Sequence, residues 1–382
     1  MKIEGCELHF LKIPLRMSVT HGARAGRTVS DSVIVAIASG GRTGYGEAVM
    51  RDYVSGSLGE GAEFQSAASL LVARFVAPLE GRFSSWASLK SYLSAISCDN
   101  QELPFLCALE TALMDLACHW EKKDLYSLLG PAPRRDVISY GAIMAIVQLR
   151  EAEKHLRMCA ELGFPNIKIK VNGDPLHTAS ILKLARGILG ERFDIRVDAN
   201  SSWPVSDAAK LFQVCRRYGV NLVEQPFDDS AAAVEDAIRE ARKQGFAIMA
   251  DEGVLSLQDL KALAKAGTYS VVNLRLSKNG GLSRVLDLAA EARKLGLAYQ
   301  LGCMVGETGI LSALGRAAAA LLPEPLYVEG SYDDVLLTEN ITTKSLGFGL
   351  KGEAPVIRGQ GLGYEVSPEK LARLSVARVP CL

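Results

Sequence analysis

From about residue 137 the chain alternates short apolar stretches with amphipathic ones, and this repeat is the feature that most narrows its possible folds. The short stretches read as strands near 137–146, 166–171, 193–199, 221–225, 247–251, 271–276, 299–303 and 326–329. Helical periodicity falls between them, for example over 207–218, 257–266 and 282–295. Strands alternating with helices imply parallel βαβ units. Eight of them over about 190 residues predict an α/β architecture closed into a (β/α)8 TIM barrel. A doubly wound open sheet is the rival.

The residues before this repeat read as α+β. A strand is expected over 4–13 and a hairpin from 32–39 to 43–49, turning at Gly40-Gly41. Helices follow near 60–78, 84–97 and 102–120. After about residue 340 a glycine-containing tail is too long for a barrel loop, and its simplest use is to return to the N-terminal unit. The expected division is 1–125, 126–340 and 341–382.

Bulk composition excludes several classes. Lys+Arg and Asp+Glu both number 43, so no basic excess suggests nucleic acid. No uninterrupted apolar run reaches the about 18 residues of a membrane span. Met1–Arg16 mixes charges among apolar positions and reads as a strand rather than a signal peptide. The eight cysteines are scattered, with no Cys-x-x-Cys pair, which fits a reducing cytoplasm.

Three acids close successive strands: Asp198 after Ile195-Arg196-Val197, Glu224 after Leu222-Val223, and Asp251 after Ile248-Met249-Ala250. In a barrel that spacing puts them on neighbouring strands at the C-terminal rim, where barrel active sites lie. Converging carboxylates repel one another unless a cation joins them, and Mg²⁺ suits an all-oxygen donor set. Singly, each could instead cap the helix that follows. One strand earlier, Lys168 and Lys170 share a face. Two neighbouring cations disfavour each other's charge, which suits a lysine to general-base work. On the sixth strand Asn273, Arg275 and Ser277 share the inward face, whereas Lys278 has the other parity.

In this order the motifs resemble the enolase superfamily, in its mandelate racemase/muconate lactonizing enzyme branch. Lys168-x-Lys170, Asp198-Ala199-Asn200, Glu224-Gln225-Pro226, Ala250-Asp251-Glu252 and Lys278-Asn279-Gly280-Gly281 carry the likeness. So do Ala108–Leu116 and Leu128-Leu129-Gly130, so it spans nearly the whole chain. The resemblance implies an α+β cap, from the N-terminus and the tail, over a modified barrel. It implies Mg²⁺ on Asp198, Glu224 and Asp251, a small carboxylate substrate, and α-proton removal to an enediolate. Lys170 would be the base, supported by Lys168. Asn200 and Glu252, which complete two motifs, join the candidate substrate-binding residues. A homo-oligomer is also implied.

Two positions depart from the family pattern. Arg275 stands where a second lysine base is usual, and arginine does not give up its proton. Cycloisomerisation or syn elimination of the o-succinylbenzoate synthase kind, on one face, therefore fits better than racemisation or epimerisation. Dipeptide epimerases carry Asp-x-Asp on the eighth strand, where here only Glu329 could hold a substrate ammonium. His21 and Arg24 in the first cap loop, and Glu307 after the seventh strand, are further candidates for substrate contact. A non-catalytic, metal-dependent carboxylate binder is the alternative of another class.

Overall fold

A computed structural model of the chain describes residues 2–20, 26–79, 83 and 85–381. Five strands come first: β1 (Gly5–Leu11), β2 (Ile13–Val19), β3 (Arg27–Ser30), β4 (Val33–Ser39) and β5 (Arg42–Ala48). Between β4 and β5, Gly40 and Gly41 have φ of 58° and 72°, the paired positive values that a type I′ hairpin turn requires. Three helices follow, Gly61–Val76, Trp86–Ala95 and Leu103–Trp120. The last is buried from Leu103 to Cys118. It lies against β5 because Gly44 and Gly46 share a face of that strand, opposite Ala112 and Ala108 one helical turn apart. A Cβ on Gly46 would stand 1.8 Å from the Ala108 carbonyl oxygen.

β6 (Val137–Ser139) comes next, and the barrel begins with β7 (Ala142–Met144). It continues through β8 (Asn166–Lys170), β9 (Asp194–Asp198), β10 (Leu222–Glu224), β11 (Ala247–Ala250), β12 (Val271–Arg275) and β13 (Ala298–Gly302). β7 to β13 form one parallel sheet in chain order. The eighth segment closes the ring: Glu329 N donates to Leu301 O at 2.8 Å, and Gly141 N to Val328 O at 3.0 Å. This is the expected barrel with two local differences. The predicted 137–146 strand divides at Tyr140-Gly141, where a Cβ on Gly141 would meet Asn166 Oδ1 at 2.1 Å. Its first part, β6, instead pairs antiparallel with β14 (Glu353–Pro355). Along the predicted 326–329 strand the regular ladder narrows to a bridge at Val328, with Leu326 N donating to Tyr299 O at 2.8 Å and Tyr327 O accepting from Leu301 N at 3.0 Å.

In the tail, β15 (Ser375–Pro380) pairs antiparallel with β1, giving a sheet ordered β15-β1-β4-β5. Nearer the barrel, Leu362 N donates to Asp115 Oδ1 on the buried helix at 3.1 Å. Among the described residues no helix is long and apolar enough to cross a membrane.

We expect Gly46→Ala to cost about 1–3 kcal/mol through forced separation of helix and strand, read as a lower urea midpoint. Burial pushes the Asp115 carboxyl up to about 7, against the Leu362 N–H and the Arg42 charge. The folded chain therefore binds this proton more tightly than the unfolded one, and the term weakens stability as pH rises from about 4 to about 7. Asp115→Asn keeps an acceptor oxygen without the ionisation. Calorimetry should find the variant's Tm, relative to the parent's, higher at pH 8 than at pH 5.

Candidate active site

Strand alternation builds the site. On β8, Ile167 and Ile169 turn to the helix layer, and Lys168 and Lys170 turn inward and are buried. Lys168 lies opposite Arg196 on β9, and Lys170 opposite Asp198. Asp198 in turn lies opposite Glu224 on β10. Asp251 is the first residue past β11, and Asn273 and Arg275 face inward on β12.

These groups interlock. Lys168 Nζ stands 2.8 Å from Glu329 Oε2, 3.1 Å from Glu224 Oε2 and 3.7 Å from Asp198 Oδ2. Arg275 Nη2 is paired with Asp251 Oδ2 and lies 3.8 Å from Glu224 Oε1. Asn273 Nδ2 donates to the same Glu224 oxygen at 2.6 Å. Thus Lys168 links Asp198 to Glu224, and Arg275 links Glu224 to Asp251. With these cations between the acids, no group of three His, Cys, Asp or Glu among the described residues is disposed to hold a metal ion. The expected convergence of the acids on one ion is here a chain of acids bridged by ammonium and guanidinium.

The donor set nevertheless fits a hard divalent cation. It consists of anionic oxygens on adjacent strand ends. Burial pushes Glu224 up to about 7; Lys168 opposes this, and Asp198, Glu329 and Asp251 reinforce it. Burial opposes the Lys168 charge, but Glu224, Glu329 and Asp198 outweigh it and raise its pKa. At Lys170, burial lowers the pKa; Asp198 opposes, and Lys168 and Arg275 add to the lowering.

The remaining candidates separate by their contacts. Asn200, expected at the substrate, instead joins Lys170 to Asp198: Oδ1 accepts from Lys170 Nζ at 2.9 Å, and Nδ2 donates to Asp198 Oδ2 at 3.0 Å. Glu329 also departs from its expected role, since its two oxygens take Lys168 at 2.8 Å and Arg196 at 2.6 Å. Each of its oxygens thus already holds one buried cation. Glu307 lines the cavity; Met304 N donates to it at 2.6 Å, and burial pushes it up to about 8. Glu252 follows Asp251 and is pushed up to about 8 by burial, then by Asp251 and Asp198. His21 and Arg24 lie outside the described residues.

Of two further participants, Arg196 was not singled out from sequence, and Lys278 was set apart by its parity. Arg196 precedes Asp198 by two and so shares its face, a signal available in the strand pattern. Lys278 has the outward parity only if β12 continues. The chain instead turns helical over Leu276–Asn279, and Lys278 Nζ reaches Asp251 Oδ1 at 3.0 Å, Asp251 O at 2.6 Å and Asn273 O at 2.6 Å.

A cavity of about 830 Å³ opens over this floor, to which Lys168, Lys170, Asp198 and Arg275 contribute. Its walls are largely apolar, with Met17 and Val19 from β2, Tyr53, Ile146, Met158 and Leu336, and Gln148, Glu151, Lys154 and His155 add polar groups. Glu329→Leu should destabilise the fold by about 3–5 kcal/mol, because Arg196 and Lys168 would each lose a buried partner. Urea unfolding checks this, and a loss under about 1 kcal/mol would remove Glu329 from the lattice.

The model of the enolase C-terminal domain-like family matches residues 150–370. The L-Ala-D/L-Glu epimerase of Clostridium acetobutylicum is 25% identical over 343 residues, covering 88% of this chain and 93% of that protein. The chloromuconate cycloisomerase of Delftia acidovorans is 27% identical over 387 residues, covering 97% of this chain and 98% of that protein. A dipeptide epimerase from Cytophaga hutchinsonii, solved with Mg and the dipeptide D-Ala-L-Val, superposes with a TM-score of 0.83 at 22% identity. That match covers 100% of both chains. With the family model spanning more than half of its 382 residues, the chain belongs to the enolase C-terminal domain-like family.

Proposed function

We propose that the chain is a Mg²⁺-dependent enzyme that removes the proton α to the carboxylate of a small substrate and works on one face of it. The reaction is a cycloisomerisation, or a syn elimination of the o-succinylbenzoate synthase kind. One observation carries this reading: two buried lysines of opposite pKa tendency stand on β8 beside Asp198, with an arginine across the floor. Asp198, Glu224 and Asp251 would hold Mg²⁺, which when bound supplies a Lewis acid for the carboxylate and for the charge that develops there.

The chain's own groups do the rest. Lys170 Nζ takes the α-proton, helped by the lowered pKa that burial gives it. Lys168 keeps its proton and offers fixed positive charge to the developing dianion. Arg275 faces the cavity, also permanently charged, and stabilises negative charge without returning a proton. Lys278 spends its donors on Asp251 and Asn273, which leaves it unsuited to a second base. The largely apolar walls favour a substrate with an apolar arm beyond its carboxylate.

Epimerisation of an amino-acid derivative or dipeptide is the second reading, favoured by the epimerase names among the relatives. Against it stand Arg275 and the doubly paired Glu329. In this proposal residues 126–340 carry the chemistry, while 1–125 and 341–382 shape access. Cytoplasmic residence and a homo-oligomeric state complete it, from the scattered cysteines and the family likeness.

The test is α-carbon exchange in deuterium oxide, followed by NMR over muconates, succinylbenzoate precursors, N-succinyl amino acids and dipeptides. We expect exchange with retained configuration, dependent on added Mg²⁺ and reduced about 10²–10⁴-fold in Lys170→Ala. Arg275→Lys should gain measurable racemisation. Racemisation by the parent protein would move the assignment to the second reading. Metal-dependent ligand binding with no exchange anywhere would identify a binder and end the enzyme proposal.

A further inference from the structure

The β1–β15 edge of the cap holds a chemical pair that the proposed reaction does not use. Glu7 lies opposite Pro380 in the antiparallel register, so one step outward Cys6 lies opposite Cys381. Cys381 N donates to Cys6 O at 2.8 Å, which holds the two backbones together at this step. Opposed residues joined by a backbone hydrogen bond in this way have Cα atoms about 5.5 Å apart, inside the about 4.4–6.8 Å that a disulfide spans. All eight cysteines are free thiols in this structure.

The two sulfurs are not equivalent. Cys6 is buried and Cys381 is half-buried. Cys381 Sγ lies 3.6 Å from Ser69 Oγ on helix Gly61–Val76. Hydrogen bonding from Cys6, and then from Ser69, holds the Cys381 thiol below its ordinary pKa against the opposing effect of burial. Cys381 is thus the accessible thiol with more thiolate character, and Cys6 is placed to resolve it.

We infer that Cys6 and Cys381 form a reversible cross-strand disulfide that fastens the C-terminal strand to the first strand of the cap, with a low-molecular-weight disulfide such as glutathione disulfide as oxidant. The Cys381 thiolate attacks one sulfur of glutathione disulfide, forming a mixed disulfide and releasing one glutathione thiolate. Cys6 then loses its proton and attacks the Cys381 sulfur, expelling the second glutathione. The protein gives up two electrons and two thiol protons, and one glutathione disulfide becomes two glutathione molecules. A bond of this kind in a thiol-rich compartment serves as a redox-responsive fastening rather than a permanent staple. It closes a loop of nearly the whole chain, so its effect on the unfolded state is large.

The test uses the full chain without substitution. The protein is equilibrated with glutathione/glutathione disulfide mixtures, denatured in alkylating reagent and weighed by mass spectrometry. We expect two of the eight thiols to be lost together, a peptide map that joins Cys6 to Cys381, and a Tm at least about 2 °C above that of the reduced protein. Cys381→Ser should abolish the paired loss, and Cys6→Ala should leave Cys381 as a stable glutathione adduct. A glutathione adduct on Cys381 in the parent, with Cys6 still alkylated after denaturation, would overturn the proposal. Cross-links to Cys98 or Cys303 in place of Cys6 would do the same.

Discussion

The Lys168 ammonium is the contact from which the rest of the site takes its character. It touches carboxylates from β9, β10 and the eighth segment, and a buried cation without such partners would cost several kcal/mol. Surrounded in this way, it stays charged. One pleat further along the same strand, Lys170 has Asp198 at 4.0 Å and the neutral Asn200 oxygen at 2.9 Å. Burial then outweighs attraction, and the two lysines move in opposite directions. A two-residue period on one strand thus separates a lysine held in its charged form from one whose charge is disfavoured.

Arg275 extends the same logic across the floor. A lysine there could lose its proton once desolvated, whereas a guanidinium keeps its charge in this setting. Its Nη2 alone faces both Asp251 and Glu224, and its backbone N–H is fixed by Asn279 Oδ1 at 2.9 Å. Any divalent ion that draws the three acids together competes with Arg275 for Asp251. Metal affinity and the position of this guanidinium would therefore be coupled.

How much of this the sequence revealed depends on the length scale of each signal. The barrel and the inward face of Lys168, Lys170, Asp198 and Glu224 follow from periods of two residues and of one βα unit, and both survive folding. The departures come from contacts between segments distant in sequence. The break at Gly141 follows from an Asn166 side chain that no local pattern announces. Lys278 read as outward because β12 was extended past Arg275, and the turn at Leu276–Asn279 reverses its direction. Glu329 read as available for an ammonium because its partners Lys168 and Arg196 lie 161 and 133 residues away. Asn200 shows the same limit at short range: its sequence position fits substrate, and its hydrogen bonds tie down the base.

The cap is held on the barrel by a different kind of contact. Glu47 on β5 accepts from Thr308 N at 2.8 Å, Thr308 Oγ1 at 2.7 Å and Leu311 N at 3.2 Å. These lie at the N-terminus of the barrel helix Gly309–Leu321, where unpaired N–H groups favour a carboxylate. Ser277, two residues past Arg275, exchanges hydrogen bonds with the Val49 backbone at 2.9 and 3.0 Å. The seam therefore fixes β5 against the helix after β13 and the turn after β12, elements adjoining the catalytic floor. Met17 and Val19 reach the cavity from β2, which takes no part in the ion lattice. Side chains there can change the cavity's shape while Lys168, Lys170 and the acids keep their spacing.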